Sequence, residues 1–308
     1  MKVFYGFDNI DALKNSVVTT GTFDGVHYGH KTILKRIRNL ASEHNGESVL
    51  ISFHPHPRKV LYPDSAGKDL KMITTIEEKI ELLEREGLDN LILVRFTTEF
   101  SRISSYDFIN NFVFPKLKPS VIVAGFNHHF GHNKEGDFNY LKQVSSKFGF
   151  IAEEIPEQEI QNETVSSTEI RKALAEGYIQ RVNAYLDHYY HITGMAEAVD
   201  NESCDTVDII FKLRIEDNEK LLPLEGIYAV SLPADDSIIR GLAVISPQIS
   251  ADREVLLVAF ENDPSKIPGG DRLRLNFHKR IRNVISGKKS GRYPVPESVI
   301  DEAKELIF

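Results

Sequence analysis

Cysteine is all but missing from this chain of 308 residues: Cys204 stands alone. No disulfide can close within the chain, and a reducing cytoplasm is the expected setting. Long apolar runs are missing as well. No stretch approaches the length of a membrane span, and the opening MKVFYGFDNIDAL lacks a basic segment followed by an apolar one. Positive charge is in deficit, with 37 Lys and Arg against 45 Asp and Glu and a net charge of −8. Nonspecific nucleic-acid binding therefore has no electrostatic footprint. The chain also carries no internal repeat and no long low-complexity segment. What remains is ordinary, 41% apolar and 27% charged, and long enough for two domains that each bury a core.

The pattern changes partway along. Up to about residue 186, strand-like runs (17–20, 48–53, 90–95, 121–124, 150–154) alternate with helix-like ones (31–43, 76–86, 106–112, 137–148). Thr75 and Glu78 form a capping-box pair at the second of these helices. Such alternation predicts an α/β domain of Rossmann type, with a parallel sheet and ligands at the carboxyl ends of its strands. Helices are also expected at 168–176, ending at Gly177, and at 179–186. From 187 to 308 the candidate strands 207–215, 226–232, 238–245, 254–260 and 272–277 follow one another through turns rich in Pro, Gly, Asp and Asn. This second domain is expected to be a small antiparallel β-barrel, closed by a helix over 296–308.

The densest chemistry lies in Val17–His30, VVTTGTFDGVHYGH. A β-branched strand runs into Gly21 and Gly25, which allow a tight turn, and Gly29 removes a side chain where a ligand could approach. A helix follows, with Ile33, Leu34, Ile37, Leu40 and Ala41 on one face. Its N-terminus offers free N–H groups and the positive end of a dipole, a natural phosphate site. His27 and His30 add neutral or cationic donors there. Three more strings follow first-domain strands or lie just beyond. SFHPHP (52–57) aims His54 or His56 from a proline-stiffened loop. In AGFNHHFGHNKEGD (124–137), Asn127 suits a base or sugar and Lys134 a phosphate. VSSTEIR (165–171) sets Ser166, Ser167 and Thr168 at a helix start with Arg171 one turn on, able to fork onto phosphates. The segment ITTIEEK (73–79) reads as structural, with its charges on a solvated helix face.

The series GTFDGVHYGH, FHPHP, GFNHHFGHNKEGD and SSTEIR resembles, in order and spacing, the FAD synthetase module of bacterial bifunctional riboflavin kinase/FAD synthetases, over residues 10 to 195. The resemblance implies transfer of AMP from ATP to FMN, giving FAD and pyrophosphate. It implies that Gly21, Thr22, Phe23, Asp24, Gly29, Asn127, Lys134 and Ser166 help bind ATP. His27 and His30 would contact the phosphates, and Ser167, Thr168 and Arg171 would clamp their β/γ end. No tightly bound metal is implied: Mg²⁺ would arrive on the ATP phosphates. His54, His56 and His128 are candidate flavin contacts. Two departures stand out: Asn127-His128 replaces the family's usual Asp-Phe, and Lys134 its usual Arg.

In that family the C-terminal barrel is a riboflavin kinase. Ile192-Thr193-Gly194, PLEGIYA (223–229) and Gly269-Gly270 followed by RLRLNFHKRIR resemble parts of it, and Glu254 matches its catalytic carboxylate. The family's glycine-rich G-R-x-L-G-F-P-T-A-N string is absent, however. This chain has no glycine between Gly194 and Gly226, so the barrel is expected to be a degenerate kinase with Glu254 a vestige. The alternatives are a bifunctional enzyme with a rebuilt kinase site, a metal-dependent hydrolase using the pocket histidines, and a noncatalytic flavin-binding protein.

Overall fold

The computed structural model describes residues 1–10, 13–126, 128–157, 159–160, 163–198, 209–234, 237–246, 253–260, 272–283 and 297–306. By their contacts the chain divides into two units, Met1–Val165 and Ser166–Phe308.

The first unit is built on β1 (Lys2–Tyr5), β2 (Val17–Thr20), β3 (Ser48–His54), β4 (Asn90–Arg95), β5 (Val121–Gly125) and β6 (Ile151–Ile155). They form one sheet in the order β1-β4-β3-β2-β5-β6, with every pairing parallel. The apolar runs explain this arrangement, because a strand apolar at every position must bury both faces. Val18, Val49, Ile51, Ile92 and Ile122 enter one core. Their neighbours Val17, Leu50, Leu91, Val121 and Val123 enter the other, against Leu34, Ile37 and Leu82 of the covering helices.

Those helices are α1 (Tyr28–Glu43), α2 (Pro57–Leu61) and α3 (Ile76–Arg85). The Thr75–Glu78 capping box at α3 is present in both directions. The helix expected over 106–112 is instead a composite: α4 (Ser105–Asp107), a π-helical turn (Phe108–Val113) and α5 (Phe114–Leu117). The Phe114 N–H reaches back five residues to the Ile109 carbonyl, the wider spacing that defines a π turn. Asp137 caps α6 (Phe138–Phe148) by accepting from the Tyr140 N–H. A small hairpin, β7 (Glu159–Ile160) and β8 (Glu163–Thr164), completes the unit.

The second unit opens with α7 (Ser167–Ala175) and α8 (Ile179–Leu186). The sequence reading grouped these helices with the first domain. They bond within the second unit: Asn183 donates to the Phe277 carbonyl and accepts from the Tyr190 N–H. Gly177 takes φ +79° directly after α7, where a helix stop needs it. The strands β9 (His191–Ala198), β10 (Ile209–Arg214), β11 (Gly226–Ala234), β12 (Ser237–Ile245), β13 (Glu254–Ala259) and β14 (Arg272–Arg282) close into an antiparallel barrel, in the order β10-β13-β12-β11-β14-β9. The final helix, α9 (Glu297–Leu306), buries Val299 and Ala303 against Leu242, Val244 and Leu256. The expected α/β domain and small barrel are both present. Cys204, Gly269, Gly270 and the turn at 262–271 lie outside the described residues.

Candidate active site at the sheet switch point

Strand order reverses between β2 and β5, and open α/β sheets bind ligands at the carboxyl end of such a switch. The loop leaving β2 there is tightly wound. Phe23, Gly25 and Val26 all have positive φ, at +47°, +85° and +42°. A β-branched residue rarely accepts that region. Val26 is held in it because its side chain is wholly buried, packed in the same core as Phe23 and Leu34. Gly21 plays a different part from the turn-forming one expected of it. Its φ is not positive, and a Cβ there would come within 2.9 Å of the Phe23 ring. Its bare backbone makes room for that ring.

His27 is the N-cap of α1 and accepts from the His30 N–H at 3.4 Å. The three-residue spacing also stacks the two imidazoles, with centroids 3.6 Å apart, and His30 stacks on Phe23 at 4.3 Å. The His30 Nδ1 is enclosed and has no hydrogen-bond partner. Burial, then the neighbouring His27, then Lys79 push the His30 pKa well below its ordinary value. Its ring is therefore neutral near pH 7, with one nitrogen to donate and one to accept.

Asp24 reaches away from the helix. Its buried carboxylate accepts from the Ile73 and Thr74 N–H groups, both at 3.0 Å, and from the Thr74 hydroxyl at 3.1 Å. This ties the segment 73–79 to the loop, and the expectation of a solvated face there does not hold. Glu78 and Lys79 are both buried, 3% and 6% exposed. The Lys79 ammonium donates to the Thr22 carbonyl at 3.1 Å and to the Ser52 hydroxyl at 3.3 Å. Burial lowers its pKa to about 8, with Asp24 pulling the other way. The sequence reading missed this residue. The available signal was position: residue 79 falls three after Ile76 and four before Leu83, on the inner stripe of α3.

Across the switch, the Thr20 hydroxyl and the His128 Nε2 lie 2.8 Å apart, which links the ends of β2 and β5. His128 stacks over Phe130, and burial followed by His129 lowers its pKa to about 4. Thr20 and His128 are the polar members of an otherwise apolar cavity of about 20 Å³, walled by Val18, Ile109 and Phe130 among others. His54 ends β3 exposed, and His56 caps α2 by accepting from the Arg58 N–H at 3.1 Å. Lys134 is exposed in the loop after β5, with φ +60°. Asn127 lies outside the described residues. Among the described residues, no three or more His, Cys, Asp or Glu are grouped to hold a metal ion.

The other motif residues belong to the second unit. Ser166 caps α7 by accepting from the Glu169 N–H at 3.3 Å, and Arg171 donates to the Ser167 carbonyl at 3.1 Å. Glu254 opens β13, with the Lys212 ammonium 3.6 Å from its carboxylate.

A parallel sheet whose switch-point loop feeds a helix N-terminus is the arrangement found in nucleotide-binding α/β proteins. The family model for FAD synthetase matches residues 9–169. Bifunctional riboflavin kinase/FMN adenylyltransferases match over more of the chain. The one from Listeria monocytogenes is 30% identical over 237 residues, 77% of this chain and 74% of that protein. The Bacillus subtilis protein is 29% identical over 302 residues, 95% and 92% of the two chains, and that of Escherichia coli K12 26% identical over 288 residues, 92% and 90%. The chain belongs to the FAD synthetase family. Its fold also matches, at TM-score 0.81 and 22% identity, a solved structure described as a macrolide-efflux protein from Streptococcus pneumoniae, over 99% of this chain and 96% of that one. At that identity the likeness concerns the fold alone.

Proposed function

We propose that this chain is an FMN adenylyltransferase: it transfers AMP from ATP to the phosphate of FMN and releases pyrophosphate. The observation that carries the reading is the unpartnered, enclosed Nδ1 of a neutral His30, stacked on the histidine that caps α1. A buried nitrogen without a partner is costly in the free protein and is satisfied when a ligand supplies one. The reaction needs no nucleophile from the protein. An FMN phosphate oxygen attacks the α-phosphorus of ATP, the bond to the β-bridging oxygen breaks, and pyrophosphate leaves with the electron pair. The protein's contribution is positioning and charge stabilisation. His27 and His30 face the phosphates from the helix N-terminus, whose dipole favours the developing negative charge. The roles of Ser167, Thr168 and Arg171 on the β- and γ-phosphates rest on the SSTEIR motif. ATP enters as its magnesium complex, the ion being part of the substrate.

The barrel is proposed to have lost riboflavin kinase activity. A carboxylate that must accept a hydroxyl proton is here paired with Lys212, and the glycine-rich phosphate string is missing from the sequence. The relatives named as bifunctional favour the opposite reading, so the test addresses both. Purified full-length chain receives Mg-ATP with FMN in one reaction and riboflavin in another, and the products are separated by chromatography. FAD and pyrophosphate from FMN, with riboflavin unchanged, is the expected result. Failure to form FAD from FMN overturns the transferase, and FMN formed from riboflavin overturns the loss of the kinase.

A further inference from the structure

Lys79 occupies a place where the fold by itself asks for an apolar residue. It lies on the inner face of α3 beside Leu82 and Leu83, packed toward the sheet. Its hydrogen bonds go to a carbonyl and a hydroxyl, Thr22 and Ser52, and not to an acid. Asp24, the acid whose charge it feels, has its carboxylate engaged by the backbone and side chain of residues 73 and 74. An ammonium taken out of water and given neutral acceptors costs stability, and a well-packed methionine of similar length would not. The cost is concentrated at one place: the carbonyl held by Lys79 belongs to the loop between β2 and the histidine pair. Ser52 donates to the same carbonyl at 3.2 Å, so Thr22, Ser52 and Lys79 form a closed triangle at the base of that loop.

We propose that Lys79 is a positioning residue for nucleotide transfer: its buried ammonium fastens the phosphate loop at Thr22 to β3 at Ser52, and its charge stands behind His30. The proposal rests on the transferase reading. Two effects follow. The loop is fixed before the nucleotide arrives, which lowers the reorganisation needed in the transition state. Burial and then His27 already hold His30 below its ordinary pKa, and the cation adds to them by disfavouring a further positive charge on the ring. The groups whose charge couples to the ammonium are Asp24 from the loop and His30 from the start of α1, and Glu78 is its sequence neighbour on α3. Since Lys79 itself loses its proton near pH 8, turnover should fall as the pH rises through that value.

The test uses the full chain with Lys79→Met and Lys79→Arg, checked for folding by thermal unfolding. Two quantities are read: kcat and KM for ATP from pH 6 to 10, and the titration of the His30 ring by NMR without nucleotide. Lys79→Met is expected to lower kcat on the order of 10²-fold with little change in KM, and to raise the His30 midpoint, which burial and His27 still hold below the ordinary histidine value. Lys79→Arg, which holds its charge at all these pH values, should restore much of the turnover and remove the fall near pH 8. Wild-type kcat and an unmoved His30 titration in Lys79→Met overturn the proposal. If that variant does not fold, Lys79→Arg decides: a fall at the same pH as in the wild type overturns it. A wild-type protein that makes no FAD sinks the transferase reading alone, because the His30 titration still reports whether Lys79 acts on the ring.

Discussion

At the start of α1 an imidazole nitrogen is enclosed with nothing to bond, whereas at the start of β13 a carboxylate already has a lysine ammonium 3.6 Å away. By motif resemblance both are candidate catalytic positions, yet the nitrogen is unpaired and the carboxylate already has a partner. Around His27 and His30 the chain keeps features that stability alone does not favour: positive φ at Phe23 and Val26, a buried cation at Lys79 and a buried carboxylate at Asp24. Beside Glu254 the backbone is strained as well, Arg253 having φ +57° and an enclosed Nε without a hydrogen-bond partner. The partner of Glu254, Lys212, is a neighbour on the adjoining strand, and both side chains are partly exposed. Both units hold strained backbone and buried cations, Lys79 in one and Lys220 in the other, so the difference lies in the two functional groups themselves: the His30 nitrogen is unpaired and the Glu254 carboxylate has a partner.

The contrast breaks first at His30. Replacing it with Ala should lower kcat for FAD formation by about 10²–10³-fold, the usual cost of losing one preorganised donor. Thermal unfolding of the variant separates this from a folding defect. Retained turnover would mean that the unpartnered nitrogen has no bearing on the reaction. His128 sharpens the contrast through pH. Its folded pKa of about 4 lies below the ordinary 6.5, so below pH 6.5 the unfolded chain binds a proton that the folded chain refuses. Stability should therefore fall from about pH 6.5 down to about 4, and level off below. Allowing for partial screening, the contribution of this one group is about 2 kcal/mol. His128→Phe should remove that share of the acid loss, as measured by urea unfolding at pH 7 and pH 4.5. An unchanged acid slope would place the titrating group elsewhere, His30 being next to examine. The smallest effect is expected at Glu254. Glu254→Gln should leave FAD formation from FMN unaltered, and a clear loss would show that the barrel carboxylate takes part after all.

Legibility in the sequence followed local physics closely. A β-branched run, glycine and HxxH before an amphipathic stretch located the loop and α1, because both depend on neighbours in the chain. The Thr75–Glu78 box was legible for the same reason. Four strands were not: β1, β9 and the two-residue β7 and β8, too short to carry a pattern. At β1 only four residues carry the signal, on the outermost strand of the sheet, and Tyr5 is exposed. β9 contains Gly194, which reads as a break in the sequence. In the barrel its absent side chain lets the Arg214 carbonyl pass, since a Cβ would come within 2.5 Å of it. Lys79 and the anchoring of residues 73 and 74 by Asp24 escaped for a further reason. Their roles are set by contacts across some fifty residues, from Asp24 to Thr74 and from Thr22 to Lys79, and charge in a sequence reads by default as surface. The Thr20–His128 link spans 108 positions and leaves no local pattern at all.

Closure of the barrel has a consequence for how the protein fails. Each of its six strands has two paired neighbours, so no row of backbone N–H and carbonyl groups is left to recruit a strand from another molecule. The parallel sheet has no such protection, since β1 and β6 each pair on one side only and carry the exposed apolar residues Tyr5 and Ile151. Deleting β9 would reverse the order of risk. It bridges β10 and β14, and its loss would open two long edges in a single step and turn the chain's self-contained half into its aggregation-prone one.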